Sequence, residues 1–158
     1  IFIILTTKSF TAEKIVYLDL DYLLSNSNKG KEILLNLENI KKENINIFKQ
    51  KEEALSKEEK KLIQQKNILS QEIYSEKINI LKKEIEKYRS EKKELVGNFN
   101  KQKDENINNL LKLIDSILAE YVKENSIDLV LNKKDILMGK NNYNITNDIM
   151  VLINNSDK

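Results

Sequence analysis

Apolar positions along this chain come in three regimes: a dense cluster, a long stretch with helical periods, and a second dense region. Residues Ile15 to Leu18 are β-formers in a row, which predicts a short buried strand passing into Asp19–Leu24. The polar run Ser25-Asn26-Ser27-Asn28 predicts a loop that supplies N-cap candidates for the long helical stretch after it. From Lys29 to Glu124 almost every residue is a good helix former, and Gly97 is the one glycine after Gly30. The second part of this stretch carries a seam: Ile78, Leu81, Ile85, Tyr88, Lys92, Leu95, Phe99, Gln102, Asn106, Leu110, Ile114, Ile117 and Tyr121. Spacings of three and four, with a run of fours after Gln102, predict a coiled coil with little net supercoil.

The first part is weaker. Its seam reads Ile33, Leu37, Ile40, Asn44, Ile47, Lys51, Leu55, Glu58, Leu62, Gln65 and Leu69, and one of its rows is polar from Asn44 onward. Such a seam should pack loosely. One straight helix over residues 29–124 would reach about 140 Å. A hairpin reversing near residues 64–71, where Gln64, Gln65, Asn67, Ser70 and Gln71 interrupt the charge pattern, pairs the weak seam with the strong one. Neither Gly nor Pro marks that reversal, so an uninterrupted helix is the alternative.

After Glu124 the texture changes again. Ile127–Leu131 reads as a second strand, Asn132-Lys133-Lys134 as a turn and Ile136–Met138 as a third strand. A loop at Gly139-Lys140-Asn141-Asn142 leads to a short amphipathic helix capped by Thr146, with Asp148 in its first turn and Ile149, Met150, Leu152 and Ile153 as its apolar side. The fold expected is mainly α with a small β body: a long antiparallel coiled-coil hairpin arm over 29–124 and a body formed by 12–28 and 125–158. A body of 51 residues without a staple rarely buries enough apolar area alone, and its short strands leave open edges. Self-association is therefore expected, with Ile15, Tyr17, Leu129, Leu131, Ile136, Ile149 and Ile153 as candidates for the oligomer body.

Composition narrows the chemistry. The 158 residues include no Cys, His, Pro or Trp, which removes thiol nucleophiles, disulfides, Cys/His zinc sites and Ser-His-Asp triads. No catalytic residue, cofactor site or metal site is predicted, and the chain is not expected to be an enzyme. Asp19 and Asp21 form a D-x-D pair without a third acidic ligand nearby, which favours a structural role. Asn144-Ile145-Thr146 is a formal glycosylation sequon, explained better by helix capping. Net charge is +2, and Arg89 is the sole arginine, so nucleic acid is not an expected partner. Charge is unevenly placed: residues 29–124 carry 21 basic and 18 acidic side chains, while the rest from Ala12 has 5 and 7. The opening Ile1–Leu5 run, followed by small and polar residues to Ala12, reads as a signal-peptide remnant over residues 1–11. Five apolar residues do not span a bilayer.

The order of these elements resembles the Skp (OmpH-like) periplasmic chaperone family over nearly the whole chain from Lys14. The residues that carry the resemblance are KIVYLDLDYLL followed by NKGKEIL, with Asp19, Gly30 and Lys31; Leu69-Ser70; and the ending IDLVLNKKDILMGKNNYNITNDIMVLI, with Asp128, Leu129, Val130 and Thr146 in register. What the resemblance implies is a homotrimer with a small β-barrel body and three helical arms around a cavity, in the periplasm of a Gram-negative bacterium. It implies unfolded outer-membrane β-barrel proteins as partners, held without ATP, and contact with membrane lipid or lipopolysaccharide.

A cage of this kind holds a client by many weak apolar contacts in a charged background. Phe48, Ile63, Ile68, Ile73, Tyr74 and Ile80 lie beside the seam rows and are the client-contact candidates, with ordinary hairpin packing as the competing explanation. A structural coiled-coil adaptor or linker of the cell envelope is the alternative function.

Overall fold

The computed structural model describes residues 13–156, so the signal-peptide expectation for residues 1–11 lies outside the described residues. Strand β1 (Ile15–Leu18) leads through Asp19 into helix α1 (Leu20–Asn26), and helix α2 (Asn28–Gln64) begins after Ser27. Helix α3 (Gln71–Glu124) leads to strand β2 (Leu129–Asn132), two short 3-10 turns at Lys133–Asp135 and Asn141–Tyr143, and helix α4 (Thr146–Asn155). The chain divides into two compact units, one comprising residues up to Glu32 and from Asn108 onward, the other Ile33–Ile107.

In the first unit β1 and β2 pair in parallel, Ile15 with Leu129 and Leu18 with Asn132. The pairing is extended at its start by Lys14, whose carbonyl accepts from the Asp128 amide at 3.0 Å and whose own amide donates to the Asp128 carboxylate at 2.7 Å. Alternation along the strands sends Val16 and Leu18 inward, each 4% exposed. Leu23 of α1, Ile114 of α3, and Ile149 and Ile153 of α4 are fully buried. Leu110, Ile127 and Ile145 are buried with them. Each such side chain contributes roughly 1.5–3 kcal/mol of transfer free energy.

Four local expectations are corrected. The Ser25–Asn28 segment is not a loop. Asp19 caps α1 by accepting from the Tyr22 amide at 3.0 Å, and the hydroxyl of Ser25 and amide of Asn26 bond back to the carbonyls of Asp21 and Tyr22. Local back-bonding satisfies these polar side chains within a helix. Only Ser27 breaks the helical path, and its buried hydroxyl accepts from the Gly30 amide at 3.1 Å as the cap of α2.

Ile136–Met138 is not a strand. The Asn132 side chain accepts from the Lys134 amide, the chain tightens into a 3-10 turn, and the Ile136 amide donates to the Lys133 carbonyl. This turn carries Leu137 and Met138 away from β2, and both are almost fully exposed.

Thr146 does not cap α4 with its side chain. It is the first helical residue, and its hydroxyl accepts from the Asp19 amide at 2.8 Å and donates to the Asn144 carboxamide oxygen at 2.6 Å. That same oxygen accepts from the Thr146 amide, so Asn144, one residue ahead of the N-cap Ile145, satisfies the first amide of the helix. Strand β2 also starts later than Ile127. Ser126 adopts φ 48, and the amides of Ser126 and Ile127 bond to the carbonyls of Lys123 and Val122. This closes α3 with a Schellman motif that uses Ile127 as its apolar plug.

Candidate binding surfaces

In the second unit, α2 and α3 touch through their seams. Leu37, Leu62 and Leu81 are buried, and Ile78, Ile85, Leu95 and Phe99 are half-buried, while Gln102 is exposed. Phe48, not Ile47, is the inward residue of its turn. It packs edge-on against Tyr88 with ring centroids 6.5 Å apart, while Ile47 is exposed. Steps of three and four both fit a helical seam, and the larger ring fills the space opposite Tyr88.

Around this aromatic pair the polar row is tied down. The ammonium of Lys92 lies 5.2 Å from the Phe48 ring and 5.5 Å from the Tyr88 ring, and donates to Glu52 at 2.8 Å. The Tyr88 hydroxyl also donates to Glu52, and Lys51 pairs with Glu91. The Lys92 ammonium and the Tyr88 hydroxyl hold the Glu52 carboxyl below the usual carboxylate range, and Lys51 does the same for Glu91. Lys51, expected to loosen the seam, instead crosses it in an ion pair.

Nearer the 65–70 turn the packing opens. A cavity of about 360 Å³ lies between the helices, with Leu55, Leu62 and Leu81 at its floor and Glu58, Lys77 and Glu84 at its rim. Ala54 and Ile80 complete it. A second cavity, of about 210 Å³, is lined by Leu62, Ile63, Ile78 and Leu81 with Glu59 and Lys82.

The client-contact candidates thus separate. Ile63 is 61% exposed, Ile68 80%, Ile73 47% and Ile80 50%, whereas Phe48 and Tyr74 are half-buried. Ile63 and Ile80 line different cavities, so the four exposed isoleucines do not form one pocket.

The first unit presents a second surface. On the outward face of the β1–β2 pair, Ile15, Leu129 and Leu131 are exposed, with Tyr17 in register opposite Leu131. Tyr17 is itself covered. A Cβ on Gly139 would stand 2.8 Å from its ring, and its hydroxyl reaches the Lys140 carbonyl at 3.4 Å. Leu137 and Met138, directly ahead of Gly139 in the chain, are almost fully exposed. Of the body candidates, Ile15, Leu129 and Leu131 lie on this exposed face and Ile136 is half-buried, while Ile149 and Ile153 belong to the core of the chain itself. Leu137 and Met138 were missed as surface residues because an apolar triplet ahead of a Gly reads as a strand. Among the described residues no strand pairs with the outer side of β2; along β1 the far side carries a bridge from Tyr17 to Asn144 and a bond from the Ile145 amide to the Tyr17 carbonyl.

Asp19 sits at the junction. Its carboxylate accepts from Lys133 at 2.9 Å as well as from the Tyr22 amide, and both hold it below its ordinary range. Asp21 is exposed and shares no ligand set with it, and no group of three or more metal-ligating residues exists among the described residues. No described helix is long and apolar enough to cross a membrane.

Two long helices, flanked in sequence by the strands of a minimal parallel pair and carrying exposed apolar residues, define a mainly helical protein with a small β element. The family model of outer membrane proteins, OmpH-like, matches residues 14–153, and the chain belongs to that family. A crystal structure from Caulobacter crescentus CB15, proposed to be an outer membrane chaperone (OmpH-like), shares the fold with a TM-score of 0.85. The two are 11% identical, and the match covers 92% of this chain and 86% of that one. No curated protein matches the chain.

Proposed function

We propose that this protein is a holding chaperone of the Gram-negative periplasm that keeps unfolded outer-membrane proteins soluble without nucleotide. The observation that carries the proposal is the set of four isoleucines, Ile63, Ile68, Ile73 and Ile80, exposed along α2, α3 and their connection among charged side chains. Ile63 and Ile80 line different cavities and Ile68 and Ile73 line neither, so the set suits many weak contacts with a long amphipathic chain and not one tight pocket. Family membership supports the same reading.

The arm of this reading is an antiparallel coiled-coil hairpin over residues 29–124. Its support is the order of the cross-helix partners: Phe48 with Tyr88 and Glu52 with Lys92 farther from the turn, Leu62 and Leu81 around one cavity nearer it. The body joins copies into a trimer through the exposed face of β1 and β2 and the open edge of β2, which otherwise invites strand pairing with another chain. Lysine-bearing arms also suit contact with lipid or lipopolysaccharide phosphate.

Dilution of a urea-unfolded outer-membrane β-barrel protein into buffer containing this protein tests the proposal. Suppressed light scattering at stoichiometric trimer, without ATP, is the expected result. Aggregation at the rate of the buffer control overturns it and favours the adaptor reading.

A further inference from the structure

The chain has two methionines and no cysteine, histidine or tryptophan. Its thioethers are therefore its only soft sulfur nucleophiles toward two-electron oxidants. They are unequally placed. Met138 is 92% exposed, whereas Met150 is half-buried on α4.

The Met138 segment is tethered on both sides. The Ile136 amide bonds to Lys133, and Gly139 and Lys140 rest on Tyr17. These tethers leave Leu137 and Met138 exposed directly ahead of Gly139, which rests on the ring of Tyr17, and Tyr17 shares its strand face with Ile15, Leu129 and Leu131. The chain's exposed thioether thus sits one residue ahead of the glycine that packs on the outward ring of Tyr17.

Resting on the self-association under Proposed function, we propose that Met138 is an oxidation site that controls assembly. In the unassembled chain a hydroperoxide converts its thioether to the sulfoxide, and the oxidised chain associates poorly. The sulfur lone pair takes one peroxide oxygen, the O–O bond breaks, and the leaving alkoxide or hydroxide takes a proton to become alcohol or water. Sulfur is oxidised by two electrons and the peroxide is reduced by two. The sulfoxide oxygen is a strong acceptor, and in an apolar contact it has no donor to replace water. Once copies have joined, the same contact shields the sulfur, so the reaction discriminates between free and assembled chains.

The test treats the full chain with hydrogen peroxide and tracks the site of oxygen gain by peptide mass and the assembly by light scattering. Met138 is expected to react before Met150, and faster as the protein is diluted. Its oxidation is expected to weaken association about tenfold or more, the effect of one unpaired polar group in an apolar contact. Methionine sulfoxide reductase should reverse the loss. Met138→Leu protein, compared with itself before and after peroxide, should not change, and Met150→Leu protein should remain sensitive. An assembly indifferent to complete Met138 oxidation overturns this inference alone, as does a Met138→Leu assembly that peroxide still dissociates. A protein that is monomeric before treatment overturns the self-association reading together with it.

Discussion

Gly30 lies so close to Leu24 that a Cβ on the glycine would stand 1.9 Å from the leucine carbonyl oxygen. The obstacle is backbone, which cannot rotate aside as a side chain would. Gly30→Ala should therefore force α1 and α2 apart and lower stability by about 2 kcal/mol or more, as overpacking does. Gly97 is the internal contrast. It sits within α3 with nothing near its Cβ position. Gly97→Ala should raise stability by about 0.5–1 kcal/mol. Urea midpoints measured side by side check both signs, and a neutral Gly30→Ala would refute the close approach.

The hydroxyl of Thr146 is the acceptor for the Asp19 amide, where β1 ends and α1 begins. Thr146→Val keeps the shape and removes the acceptor. A part-buried amide left without its partner costs about 1–3 kcal/mol. Amide hydrogen exchange at Asp19 should accelerate more than at Leu37, which lies in the other compact unit. Uniform acceleration would show that Thr146 acts on the whole chain and not through this bond.

Ser126 holds the left-handed turn that ends α3, at φ 48. A side chain in that conformation is disfavoured by about 1 kcal/mol, and glycine is not. Ser126→Gly should stabilise the protein by somewhat less than that, because glycine is also freer when unfolded. Thermal melting checks it, and a fall in midpoint would contradict the Schellman closure.

Acid should weaken the protein in a defined order of sign. Glu52, Glu91 and Asp19 are each held below their ordinary values by the Lys92, Lys51 and Lys133 ammonium groups, respectively. A carboxylate with a depressed folded pKa stabilises above its unfolded pKa, and this contribution fades as pH falls through the folded value. Stability should therefore be level above about pH 5 and decline below the unfolded glutamate and aspartate values, near 4.5 and 3.8. Glu52→Gln should flatten part of that decline. An unchanged acid profile in that variant would mean that the Glu52 cluster contributes nothing to folding, as exposed ion pairs sometimes do.

Much of the helical architecture is legible in the sequence, because α2 and α3 are written in helix formers with repeating apolar positions. The choice between Phe48 and Ile47 is not, since both lie within a helical step of Asn44 and only the ring across the interface decides. In the body, reading fails where side-chain hydrogen bonds override propensity. Asn144 satisfies the first amide of α4 while Thr146 turns its hydroxyl to Asp19, and Ser25 and Asn26 are satisfied inside a helix by bonds no local pattern announces. The exposed isoleucines are visible as residues beside the seam, but that Ile63 and Ile80 line different cavities is a matter of packing across the two helices, which no local pattern announces.

The parallel partnership of Ile15 with Leu129 has a consequence for how the chain comes into being. Strand β1 is made first, yet its partner arrives only after α2 and α3 have been synthesised. Closing so long a loop is entropically unfavourable until the intervening helices, which form from local contacts, have removed most of its freedom. The body is thus the last part to mature. Until β2 arrives, Val16 and Leu18 have no sheet to enter, and the chain begins its existence with an apolar strand left unshielded.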